Sequence, residues 1–193
     1  MPDDHTKYPV PLRQMGCRVE VLPVGCDAIG PVLLGFDPSW RTGLLSADTA
    51  PHDVVVRMLG EHGVPAELAP VIHSTSWRLS EFGGEYVMVF TYLVVVDLPK
   101  GQDYFYESWP AAISLGRETL EQHHYPKSHG AAEPPIDTRY VDVAHHALGH
   151  LLWLSRHNDK VRRALSQAWL DALAGLQEKV ALMYDSEANL DVA

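Results

Sequence analysis

Cysteine is nearly absent. Cys17 and Cys26 are the only two in 193 residues, too few for a disulfide framework or a four-thiolate zinc site. Positive charge is scarce too: 15 lysines and arginines stand against 25 aspartates and glutamates, a formal net charge of −10. Such a balance repels phosphate backbones and anionic lipid surfaces, so the composition predicts neither nucleic acid nor membrane as a partner. No apolar run approaches the roughly 20 residues a bilayer requires, and the opening Met-Pro-Asp-Asp-His is polar and acidic. A cytoplasmic location is expected from these features. Gly-x-Ser-x-Gly, the Walker-type phosphate loop and Gly-x-Gly-x-x-Gly are all missing, which leaves serine hydrolase, P-loop and Rossmann chemistry without a motif.

What is present is a chain with 46% apolar content, enough to bury a core of respectable size. Residues 1–17 read as an irregular arm, with three prolines and no periodicity. Arg18 to Leu22 alternates at period two and Gly30 to Phe36 is a short apolar run, so two strands are expected around a Gly25-Cys26-Asp27 turn. Pro51 to His62 carries Val54, Val55, Met58 and Leu59 at helical spacing and stops at Gly63, a natural left-handed cap. Leu68 to Leu79 reads as a strand with Ile72, Ser74, Ser76 and Arg78 on one face and His73, Thr75, Trp77 and Leu79 on the other. Tyr86 to Val96, rich in β-branched and aromatic residues, has the composition of a strand covered on both faces at the centre of the core.

Beyond Asp97 the pattern weakens into a long connection to residue 136, with a helix expected near Ser114 to Gln122. Thr138 to Arg156 and Lys160 to Tyr184 then carry apolar residues at helical spacing and predict an antiparallel hairpin over 137–185, joined at Asn158-Asp159. Trp153, Leu154, Trp169 and Leu170 fall off its buried stripes and suggest pairing with another copy, a homodimer. The whole reads as α+β, a mixed sheet with flanking helices over 18–136 followed by a helical hairpin packed on it.

The segment from Gly43 to Val64 is the most specific. Gly43 and Arg57 stand at the spacing of the pattern G-x5-E-x7-R-E-U-x-E-E-x-G-U, in which U is aliphatic, and Glu61 and Gly63 follow. The segment thereby resembles the Nudix domain. That resemblance implies a loop-helix-loop facing a pyrophosphate-bearing substrate, with glutamates holding Mg²⁺ or Mn²⁺. Here Thr49 replaces the first glutamate, Met58, Leu59 and Gly60 follow Arg57, and Glu61 alone remains. Octahedral Mg²⁺ needs several oxygen ligands, so the resemblance implies a catalytically degenerate domain that binds a small ligand or a protein. Arg57, Glu61, His73, Trp77 and Arg78 are its expected ligand contacts. The alternative is a hydrolase of nucleoside diphosphate-type bonds, with Glu61 as the catalytic candidate and Asp48, Glu81, Glu85 or Glu118 as relocated ligands. The bland reading of Arg57 and Glu61 is an i,i+4 surface pair.

Histidine is abundant, with eleven in the chain. Asp142, His146 and His150 share one face of the first C-terminal helix at i, i+4 and i+8. A two-histidine, one-carboxylate set suits zinc or iron. The competing reading is a solvated or partner-facing polar stripe, and a third is a pH-sensitive surface.

Overall fold

The computed structural model describes residues 15–27, 29–35, 38–97, 109, 112–115, 140–180 and 182–183. Their frame is a mixed six-stranded sheet in the order β5-β2-β1-β4-β3-β6: β1 Gly16–Cys26, β2 Pro31–Leu33, β3 Val71–Phe82, β4 Glu85–Val95, β5 Ile113–Ser114 and β6 Leu182–Met183. β1 and β4 run parallel at the centre, from Gly16 opposite Val87 to Val24 opposite Val95. The chain between them makes the long excursion that parallel pairing demands. β3 folds back antiparallel on β4 across the Gly83-Gly84 tip.

Among the described residues four α-helices flank the sheet: α1 Pro51–Glu61, α2 Tyr140–His157, α3 Asp159–Ala164 and α4 Gln167–Leu173. Helix α1 lies on one face, where Val54, Val55, Met58 and Leu59 meet Val19, Val21, Val32, Leu34, Val94 and Val96. It ends in a Schellman motif. The Val64 amide donates to the Leu59 carbonyl and the Gly63 amide to that of Gly60, with Gly63 at a φ of 72° that a side chain would strain. On the opposite face α2 and α4 bury Ala144, Ala147, Leu148, Leu151, Trp169 and Leu173 against Leu22, Val24, Leu33, Leu93 and Val95. The result is a helix-sheet-helix sandwich, each sheet face having its own core.

Several expectations are corrected here. β1 starts inside the expected irregular arm, and residues 1–14 lie outside the described set. The core centres on the β1–β4 pair, with the β3 end of the hairpin towards the sheet edge. β4 is not covered evenly. Val87, Val89 and Thr91 are buried on one face while Met88, Phe90 and Tyr92 are half-exposed on the other. The expected helix from Ser114 meets β5 at Ile113–Ser114, and its remainder, with Glu118, lies outside the described residues.

The second helix of the expected hairpin is broken. Leu165 is extended (φ −86°, ψ 135°) and Ser166 starts α4, its hydroxyl accepting from the Trp169 amide. That break resets the helical phase, so Trp169 and Leu173 point into the core. Trp169 and Leu154 are buried, and the sequence argument for a dimer loses both residues.

Candidate functional site

Residue placement on β3 decides which side chains can share a site. Ser74 pairs with Tyr92 but Ser76 pairs with Thr91, so Thr75 is an extra residue, a β-bulge, and every later side chain changes face. The two faces expected from simple alternation are therefore exchanged beyond Thr75. Trp77 and Leu79 join Ile72, Met88, Phe90 and Tyr92 on the face that also carries α1. His73 and Arg78 lie on the opposite face, where His73 meets His150 of α2. The five expected ligand contacts are not brought together.

Arg57 and Glu61 project from the outer side of α1. Each is 64% exposed, and Arg57 Nε stands 3.8 Å from Glu61 Oε1, a solvated pair of the kind worth about 0.3–0.5 kcal/mol. Asp48 and Glu85 are also exposed, while the Glu81 side chain lies outside the described set. Among the described residues no group of three His, Cys, Asp or Glu side chains is placed to hold a metal ion. Trp77, Phe90 and Tyr92 form a half-exposed aromatic strip beside the apolar core that α1 closes. Burial raises the Tyr92 phenol above its ordinary pKa of 10.0, which keeps it a neutral donor at neutral pH.

Arg78 belongs to a buried charge cluster that alternation in the sequence does not reveal. Glu20, 1% exposed, accepts from Arg78 Nη1 (2.8 Å) and Nη2 (2.7 Å), from Arg41 Nε (2.9 Å) and from Thr91 Oγ1 (3.2 Å). Burial alone pushes the Glu20 carboxyl up. The Arg78 and Arg41 charges, with hydrogen bonds from Arg78 and Thr91, outweigh it and hold the group at about 2. A bidentate guanidinium-carboxylate pair is the geometry that offsets desolvation best. This cluster ties β1, β3, β4 and the segment at Arg41 together and leaves Arg78 committed to Glu20. One signal was available: Glu20 has the same parity as Leu22 and Val24, so a charge sits in line with core residues.

The histidine face of α2 is packed against β3, which corrects the solvated-stripe reading. His150 is 2% exposed. Its ring stacks between His73 at 5.3 Å and Trp153 at 5.6 Å, and Trp153 in turn meets His157 at 4.9 Å. The His150 Nδ1–H donates to the Lys179 carbonyl at 3.1 Å, which fixes its tautomer. His146 is half-buried one turn earlier, and the Asp142 side chain lies outside the described residues. Burial lowers the pKa of all three packed histidines. His150 adds to the effect on His73, Lys179 and His150 add to it on His146, and the Lys179 carbonyl opposes it at His150.

No family model matches the chain, and no curated protein matches it. Among solved structures it is similar to Shewanella oneidensis NrtR, with a TM-score of 0.51 at 10% identity over 91% of this chain and 83% of that one. The structure of the same protein complexed with a 27mer DNA gives a TM-score of 0.47 at 12% identity, over 89% and 79%. Likeness at such identity is one of fold. It also corrects an exclusion: because NrtR has been solved with DNA, the net charge of −10 does not exclude nucleic acid as a partner. Among the described residues no helix is long and apolar enough to cross a membrane.

Proposed function

We propose that the chain is a small-ligand-binding module on a Nudix-like fold whose motif helix no longer carries a metal-holding set. The NrtR likeness supports the fold part of this reading. The observation that carries the ligand part is the aromatic strip of Trp77, Phe90 and Tyr92, half-exposed on the sheet face shared with α1. A flat ring such as a nucleobase gains about 1–3 kcal/mol by stacking on an aromatic side chain. Glu61, the one retained motif glutamate, is paired with Arg57 on the solvent side. His73 and Arg78 have no part in this site, being on the other sheet face.

A thermal-shift screen with nucleotides and nucleoside diphosphate conjugates tests the reading. A ligand at 100 times its Kd adds about 2.7 kcal/mol, which raises Tm by roughly 5–10 °C for a chain of this length. Trp77→Ala is expected to weaken binding about 5- to 150-fold, the equivalent of one lost stacking contact. Silence across the panel, or unchanged binding in Trp77→Ala, overturns it.

A further inference from the structure

After α4 the chain turns back over α2. The Lys179 amide donates to the Gly149 carbonyl (3.1 Å), and the Lys179 carbonyl accepts from His150 Nδ1 (3.1 Å). Gly149 makes this crossing feasible, because a Cβ there would stand 2.6 Å from the Gln177 carbonyl oxygen and 2.8 Å from Lys179 Cγ. Next to it Glu178 pairs with Arg156 and lies 4.0 Å from His157. Three residues beyond Lys179 the chain becomes β6, which lines the β3 edge in parallel at Ser76 and Trp77. The described residues 176–180 and 182–183 therefore form a strap, held by side chains at the buried His150 and at the Arg156–Glu178 pair.

We propose that this strap is a latch released by acid: neutral His150 holds it on α2, and protonation of the His150–His73 stack lets it go and bares the β3 edge. The geometry gives the reason. His150 Nδ1 already spends its proton on Lys179, and its Nε2 is buried without a hydrogen-bond partner among the described residues. A proton added at Nε2 therefore has no acceptor. The titratable and charged groups facing the ring are His73 from β3, His146 on α2 and Lys179 on the strap, with Arg156, His157 and Glu178 at the far end. Among these described groups Glu178 is the negative one, and it is engaged by Arg156. Acid thus adds charge where the near neighbours are histidines and a lysine.

The sign follows from linkage. His150, His73 and His146 all have pKa values lowered from 6.5 in the docked state, so the released state binds protons more readily. Docking is complete above 6.5 and is lost as pH falls below it.

Hydrogen exchange of the full chain at pH 7.5 and 5.5, corrected for the intrinsic pH dependence of amide exchange, tests the latch. The Lys179 amide and the β6 amides are expected to exchange about tenfold faster or more at pH 5.5, with β1 and β4 unchanged. His150→Asn keeps a donor towards the Lys179 carbonyl and removes the His150 titration, and is expected to leave only the smaller pH response carried by His73 and His146. Equal exchange at both pH values, or a pH response undiminished in His150→Asn, overturns the latch. Should that variant fail to fold, the proton resonances of His150 in the unaltered chain decide. The opening midpoint must follow the His150 titration, and a midpoint independent of it overturns the proposal as well.

Discussion

Glu20 links three strands of this sheet through Arg78 and Thr91, and its energetics are asymmetric. Removing one partner of a buried ion pair strands the other charge, at a cost of about 3–5 kcal/mol. Replacing both with apolar residues of similar volume costs far less. Arg78→Met is thus expected to lower Tm by roughly 6–20 °C, and Glu20→Leu/Arg78→Met to recover part of that loss, as read by calorimetry or denaturant melts. Glu20 also sets an acid limit. Its carboxyl is lowered from 4.5 to about 2, so its stabilisation is present above 4.5 and disappears as pH falls from there towards 2. Melts over that range should lose stability steeply, and Glu20→Gln should flatten the curve. A flat curve in the unaltered chain would show that the pair does not shift the carboxyl. None of this is visible in the sequence as an ion pair. Period-two alternation places Glu20 in line with Leu22 and Val24 but has no term for the residue opposite, and Arg78 and Arg41 are far off along the chain.

Elements were legible where one periodic pattern ran uninterrupted and were lost where a single residue changed the phase. The stripe of α1 and its stop at Gly63 were readable because the spacing and the left-handed cap are local. β3 shows the opposite. Its existence followed from composition, but it runs Val71–Phe82 where Leu68–Leu79 was expected, and Thr75 adds one residue to the ladder and exchanges the faces of Trp77 and Arg78. A bulge is decided by the partner strand, so the sequence of β3 alone does not contain it. The C-terminal helices failed in a readable way. Ser166 has the chemistry of a helix start, yet the apolar spacing on either side suggested continuity. Its hydroxyl accepts from the Trp169 amide, and Ser166→Ala is expected to cost about 1 kcal/mol, a fall of roughly 2–4 °C in Tm. Ser166→Asp, which keeps an acceptor at the cap, should hold Tm near its original value. An unchanged melt in Ser166→Ala would mean that core packing of Trp169 and Leu173 alone sets the break.

At the scale of the whole molecule, the two faces of the sandwich are built differently. The α2 face packs aliphatic side chains, the Glu20 cluster and the stacked histidines. The α1 face has a closed apolar core and, along β3 and β4, the half-exposed strip of Trp77, Phe90 and Tyr92. A metal-dependent hydrolase would need several oxygen ligands beside that strip to hold Mg²⁺ against a leaving phosphate. Glu61 points to solvent in partnership with Arg57, and a single exposed carboxylate neither binds Mg²⁺ tightly nor orients a water. Incubation with nucleoside diphosphate conjugates and Mg²⁺ or Mn²⁺ is therefore expected to release no phosphate or nucleotide above the protein-free rate, and Glu61→Gln to leave ligand-induced thermal shifts unchanged. Metal-dependent turnover that vanishes in Glu61→Gln would reverse this conclusion, since the carboxylate would then have to swing from Arg57 towards the substrate when metal binds. Binding without turnover, sensitive to Trp77→Ala and insensitive to Glu61→Gln, is the pattern expected if the proposed ligand site is the aromatic strip and the Glu61 carboxylate takes no part.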